Sequence, residues 1–246
     1  MDTQLTDVNK DGDDASSQLH SRLVNQIRAS GPLSFADYME ACLYDPELGY
    51  YRRKRDPFGE GGDFVTAPTL GEVFARGVAR SLIPAIETLG SDWSLLELGP
   101  GDGALAAGVL AELEAADRAP ARYLLLDTSP ALRGIQRRLL EQAAPATPLE
   151  WLSAPPVEPW CGIVLANEVL DALPVERFRR TAAGVARLGV TVEDAGALQT
   201  LELPPPSALN QAVSEIESAL GRRLPEGYES EVCLQLPGFV RQVTAG

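Results

Sequence analysis

The chain has 246 residues, of which 45% are hydrophobic (AVILMFWYC) and 23% charged, with 22 Gly and 19 Pro. This excludes a collagen-like or wholly disordered chain and fits one large domain, or one domain with an appendage. Lys+Arg 21 against Asp+Glu 35 leaves a formal net charge of -14, so the averaged surface repels phosphate and nucleic acid is not an expected partner; solubility is the first reading of that charge, and attraction of a cationic ligand or basic protein substrate the second.

Residues 1–17 hold five aspartates (Asp2, Asp7, Asp11, Asp13, Asp14) and almost no bulky apolar group, and are expected to be a disordered, solvated acidic tail. That start is unlike a signal or transit peptide, and no apolar run approaches the ~20 residues needed to span a bilayer; the expectation is a cytoplasmic protein without a membrane span. From Leu19 a helical pattern (Leu23, Val24, Ile27) runs to a stop at Gly31-Pro32. Ser34-Phe35-Ala36-Asp37 opens a second helix through Tyr38, Met39 and Leu43, broken by Asp45-Pro46 and Gly49. A glycine-rich, locally basic loop follows at 49–63, then a short extended piece from Phe64 to Pro68 and a helix with Val73, Phe74, Val78 and Leu82 as far as Pro84.

Leu95-Leu96-Glu97-Leu98, the turn Gly99-Pro100-Gly101-Asp102-Gly103 and an Ala/Leu-rich helix from Ala104 spell strand, glycine turn, helix. A second strand, Tyr123–Leu126, ends at Asp127 and passes into a helix from Ala131; a third, Ile163–Ala166, ends at Asn167-Glu168. Strands alternating with helices predict an α/β fold with a parallel sheet. Phe178 to Glu202 alternates like antiparallel strands, with Gly184, Gly189 and Gly196 as turn candidates, and a helix is predicted from Ser207 to Leu220. The expected organisation is 1–17 tail, 18–90 helical portion with the glycine-rich loop, 91–176 cofactor-binding core and 177–246 inserted β/α segment.

His20 is the only histidine, which removes Ser-His and Cys-His triads and multi-histidine metal sites. Cys42, Cys161 and Cys233 lack metal-ligand spacing, so no metal is expected and they read as reduced core thiols. The glycine turn is ambiguous alone: Gly99, Gly101 and Ala104 fit a dinucleotide pattern, and Gly99, Gly101 and Gly103 a G-x-G-x-G pattern. Asp127 at a strand tip offers two oxygens to the two ribose hydroxyls of either cofactor class. Glu97 is expected at the mouth of the turn, where a carboxylate repels a pyrophosphate and stabilises an α-amino group or a sulfonium, favouring S-adenosylmethionine over NAD.

ELGPGDG at 97–103, LLLDTSPALRGIQRRLL at 124–140 and ANEVLDALPVERF at 166–178 resemble class I S-adenosylmethionine-dependent methyltransferases. GPLSFADYMEACLYDPELGYY at 31–51 and GEGGDFVTAP at 59–68 narrow the resemblance to the MidA-like family, which includes mitochondrial respiratory-complex assembly factors that methylate arginine. The resemblance implies a Rossmann-like methyltransferase sheet with an N-terminal helical portion and an inserted segment. It also implies S-adenosylmethionine as cofactor and, as partner, a protein substrate with a reactive arginine, of the respiratory-complex subunit type.

For the cofactor it implies Asp63, Glu97, Gly99, Gly101, Gly103, Asp127 and Asn167. Glu168 and Asp171, read as two acids on one side of a helical turn, are the candidate catalytic clamps for a guanidinium; helix capping is the competing reading for both, and packing the competing reading for Tyr50 and Tyr51. The chain departs from the family at Ala67-Pro68-Thr69 and at Phe74-Ala75-Arg76, changes expected to bear on the substrate side. The family also continues beyond the point matching Gly246, so the last sheet strands are expected to be missing and the strand at 163–166 to be an edge through which chains could pair. Two rivals stay open: a non-catalytic cofactor-binding assembly protein, and an NAD-dependent oxidoreductase.

Overall fold

The computed structural model describes the backbone of residues 4–52 and 72–245, with side chains from Asp14. The extended piece expected at 64–68, Asp63, and the departures Ala67 and Thr69 lie outside the described residues. The chain forms two compact units, Lys54–Leu170 with Gly238–Gly246, and Met1–Arg53 with Asp171–Pro237. These boundaries differ from the expected ones because the second unit's sheet draws on both ends of its sequence.

In the first of these units, β2 (Ser94–Leu98), β3 (Arg122–Leu126), β4 (Leu149–Leu152) and β5 (Gly162–Ala166) form a parallel sheet in the order β4-β3-β2-β5. The near-continuous apolar runs are what a sheet covered on both faces requires. Leu95, Tyr123 and Leu125 face α4 (Ala104–Ala115), α5 (Pro130–Ala143) and α3 (Glu72–Ile86), while Leu96, Leu98 and Leu124 pack with Phe239 and Val243 of α7 (Leu236–Val243). Strand β4 escaped the sequence reading because Leu149-Glu150-Trp151-Leu152 has neither alternation nor a β-branched residue. Among the described residues β5 pairs with β2 alone.

Helix α3 does not stop at Pro84. It runs to Ile86, because a proline in a last turn loses only one backbone hydrogen bond. Its buried face is Ala75, Ala79 and Ile86, and Val73 is exposed. The family departures Ala75 and Arg76 find their role here: Ala75 packs on α4 opposite Gly108, and Arg76 Nε donates to Glu112 Oε1 at 2.9 Å. Both contacts are made within the packing of α3 on α4. A Cβ at Gly108 would lie 2.5 Å from that of Ala75. Gly108→Ala therefore sets an overpacking cost of about 1–3 kcal/mol against the ~1 kcal/mol that Ala normally gains in a helix interior. The expected result is a lower midpoint in thermal unfolding; an unchanged or raised midpoint contradicts this contact.

The other unit is built on an antiparallel sheet. β7 (Val185–Val192) pairs on one side with β8 (Leu198–Leu203), and on the other with β6 (Glu176–Arg180) and β1 (Leu33–Ser34); β9 (Glu229–Val232) adds to β6. Gly189 is not a turn residue as expected but lies inside β7, where a Cβ would come within 2.5 Å of the Leu33 carbonyl oxygen. Helix α6 (Ser207–Leu220) closes a core of Phe178, Leu209, Val213 and Leu224. α1 spans Gln4–Ser30, so residues 4–17, expected as a tail, are helical: extending a helix already nucleated by the buried Leu19, Leu23, Val24 and Ile27 costs little. The expected start of α2 (Phe35–Tyr44) is observed, with the Ser34 hydroxyl accepting from the Asp37 N–H.

Candidate functional site

The glycine turn joins β2 to α4. Gly99, Gly101 and Gly103 have φ of 56°, 57° and 93°, values in the left-handed region that side chains with a Cβ rarely adopt. A Cβ on Gly99 would also come 3.1 Å from Val169 Cγ2, and one on Gly103 3.3 Å from Gln136 Cα. Asp102 Oδ1 accepts from the Ala104 N–H at 2.9 Å, capping the start of α4.

Asp127 follows β3 and is 8% exposed. Its Oδ1 accepts from the Ser129 N–H (2.7 Å) and its Oδ2 from Gln136 Nε2 (2.8 Å). Burial raises its pKa above the ordinary carboxylate value, opposed by those two donors and by Arg133, whose guanidinium binds the Asp127 carbonyl. The carboxylate thus keeps lone-pair capacity beyond its internal donors, which suits a vicinal diol. That donor arrangement, beside backbone that approaches closely only because three glycines allow it, fits the adenosine end of S-adenosylmethionine.

Glu97 does not stand at an open mouth. Its side chain is buried on the β2 face that carries Leu95, and its Oε2 accepts from the Tyr123 hydroxyl at 2.8 Å. Burial pushes its pKa up to about 7, partly offset by the Tyr123 hydrogen bond and reinforced by Asp102. The strand alternation that buries Leu95 also buries Glu97.

The folded carboxyl binds a proton more tightly than the unfolded one, whose pKa is 4.5. The stabilisation it confers is therefore complete below pH 4.5 and is lost as the pH rises through about 7. At 1.36 kcal/mol per unit the loss is on the order of 3 kcal/mol. Urea unfolding between pH 5 and 8 should show this falling stability in the native chain and a flatter profile in Glu97→Gln; identical profiles exclude Glu97 as its source.

Asn167 and Glu168 directly follow β5. Asn167 is half-buried; Glu168 is exposed, makes no hydrogen bond among the described residues, and has φ of 51°. The short 3₁₀ turn Leu170–Ala172 contains Asp171 and leads into β6. The two acids therefore do not share one helical turn, and no α-helix follows for them to cap, because Pro174 ends the segment and extended β6 begins. Asp171 is exposed and belongs to the other compact unit. Tyr44 donates to the Ala172 carbonyl at 2.9 Å and stacks on Tyr51, which meets Tyr50 edge-on. Burial first, then Tyr51 and Asp171, raise the Tyr44 pKa to about 12.

Sequence reasoning missed Gln136, which is fully buried between the glycine turn and Asp127. A polar residue at a core position of the apolar face of α5 was the available signal. No disulfide joins the three cysteines; Cys161 is exposed and Cys42 and Cys233 are half-buried, so they are not core residues. Among the described residues no group of three or more His, Cys, Asp or Glu could hold a metal, and no helix is long and apolar enough to cross a membrane.

Comparison with known proteins bears on this geometry. Residues 77–245 match a family described as "Putative S-adenosyl-L-methionine-dependent methyltransferase". The chain is 32% identical over 195 residues to the protein arginine methyltransferase NDUFAF7, mitochondrial, of Danio rerio, covering 70% of this chain and 46% of that one. It is 33% identical over 186 residues to the Drosophila melanogaster homolog, covering 65% and 42%. It thus spans about half the length of the curated relatives it matches. A crystal structure of a Burkholderia thailandensis protein bound to S-adenosyl-homocysteine superposes with a TM-score of 0.81 at 34% identity, covering 95% of this chain and 60% of that one.

These relatives are named as mitochondrial proteins, which overturns the expectation of a cytoplasmic location; neither net charge nor the lack of a long apolar run bears on compartment. The fold is that of a class I methyltransferase, with S-adenosylmethionine as the cofactor of its family. The chain belongs to this S-adenosyl-L-methionine-dependent methyltransferase family.

Proposed function

We propose that the chain binds S-adenosylmethionine and transfers its methyl group to an arginine of a protein partner, a respiratory-complex subunit by the family resemblance. The observation that carries the cofactor half is Asp127: a buried carboxylate at the end of β3, fixed by two internal donors beside a three-glycine turn. In this reading Gly99, Gly101 and Gly103 admit the cofactor to the backbone and Asn167 lies along its path. By the family resemblance Asp63, which lies outside the described residues, and Glu97, buried against Tyr123, are assigned to the cofactor.

The names of the relatives support an arginine acceptor. S-adenosylmethionine supplies the methyl group and the sulfur leaving group. The protein's task is to hold the acceptor nitrogen in line and to take its proton, because a guanidinium with pKa above ~12 is a poor nucleophile while charged. Glu168 and Asp171 are assigned that work, with Glu168 the stronger candidate. Self-association through the second edge of β5, which sedimentation velocity measures, is part of the same proposal.

Two measurements test the reading. Calorimetric titration with S-adenosyl-homocysteine and with NADH should give binding to the first alone. Incubation with methyl-labelled cofactor and a mitochondrial protein extract should label arginine in a protein partner, located by peptide mass spectrometry. NADH binding without S-adenosyl-homocysteine binding establishes the oxidoreductase rival; cofactor binding with no labelled product favours the non-catalytic assembly protein.

A further inference from the structure

The side chain of Gln136 joins three separate segments. Its Nε2 donates to Asp127 Oδ2 at 2.8 Å and to the Gly101 carbonyl at 2.9 Å, while its Oε1 accepts from Trp151 Nε1 at 3.1 Å. The residue is 0% exposed. An indole N–H can only donate, so the amide oxygen must face Trp151 and the amide nitrogen must face the carboxylate and the carbonyl. Both amide protons are thereby spent on acceptors of the cofactor site. With the Ser129 N–H on Oδ1, the Asp127 carboxylate is held at both oxygens and cannot rotate freely. Gly103, whose missing Cβ lets the turn approach Gln136 Cα, keeps the turn pressed against this amide.

We propose that Gln136 is a positioning residue of the cofactor site, its amide locking the Asp127 carboxylate and the Gly101 carbonyl into one preorganised surface for the adenosine ribose. The proposal rests on the reading of Asp127 as the ribose acceptor. A carboxylate already fixed loses no rotational freedom when a diol binds, so affinity gains from the lock without direct contact between Gln136 and ligand. Glutamate at this position would set a charge against Asp127, and an apolar residue would strand the Trp151 donor and release the carboxylate.

The test is calorimetry of the full chain with S-adenosyl-homocysteine, alongside circular dichroism and thermal melts. Q136M is expected to bind at least tenfold more weakly than the native chain, and to add less than twofold in a D127A background, since it acts through Asp127. Q136E keeps the side-chain volume and decides the matter if Q136M does not fold. Its affinity, relative to the native chain at each pH, should recover on going from pH 8 to pH 6 as a shared proton replaces the lost donor.

A folded Q136M that binds within twofold of the native chain overturns the proposal, as does an equal loss with and without Asp127, or a Q136E deficit that ignores pH. If D127A alone leaves affinity unchanged, the ribose assignment falls and this proposal with it. If D127A weakens binding and Q136M does not, only the positioning role falls.

Discussion

Asp127→Ala should weaken S-adenosyl-homocysteine binding by roughly 1 to 3 kcal/mol, about 5- to 150-fold. The substitution removes two acceptors from a nearly buried position, so a bound diol would have to leave water without finding partners. It also strands the Ser129 N–H and Gln136 Nε2, so some loss of stability accompanies the loss of affinity. Asp127→Asn separates the two effects: it keeps the volume, but its single amide oxygen cannot serve two protein donors and two hydroxyls at once. Calorimetry measures the affinity and a thermal melt the stability. Native affinity in a folded Asp127→Ala protein would defeat the assignment.

Glu168→Gln is expected to leave cofactor affinity within about twofold while abolishing methyl transfer. A glutamine can still accept a hydrogen bond from a guanidinium, but it neither balances the charge nor takes the proton. The backbone points the same way. A left-handed conformation costs a residue with a Cβ on the order of 1–2 kcal/mol, and glycine would adopt it without that cost. Glu168 nevertheless sits there with an exposed carboxylate and no hydrogen-bond partner among the described residues. Glu168→Gly should accordingly raise thermal stability and eliminate transfer, a pairing expected where strain is kept for function. Transfer at the native rate in Glu168→Gln, measured with labelled cofactor, removes Glu168 from the reaction and leaves Asp171 as the remaining acid.

The parallel sheet and its glycine turn were legible because their signals are local. Leu95–Leu98 is an apolar run closed by three glycines, and helix α4 begins where the glycines end. Ser34 and Asp37 announced the start of α2, and Ser207–Leu220 was bounded by Pro206 and Gly221. Such features depend on backbone geometry that only a few residue types permit.

What the chain's order could not reveal was burial and partnership. Glu97 reads as an acid at the lip of a turn; strand pairing with β3 places Tyr123 against it and leaves its carboxyl titrating near 7. Gln136 reads as one polar residue in a helix, and packing makes it the joint between the turn, Asp127 and β4. Ala75 and Arg76 read as departures on the substrate side, and the fold shows them in contact with α4. Strand, turn and capping preferences are set by each residue and its neighbours in sequence. The protonation of a buried acid and the satisfaction of an amide depend on groups tens of residues away, which only the folded chain brings within hydrogen-bonding distance.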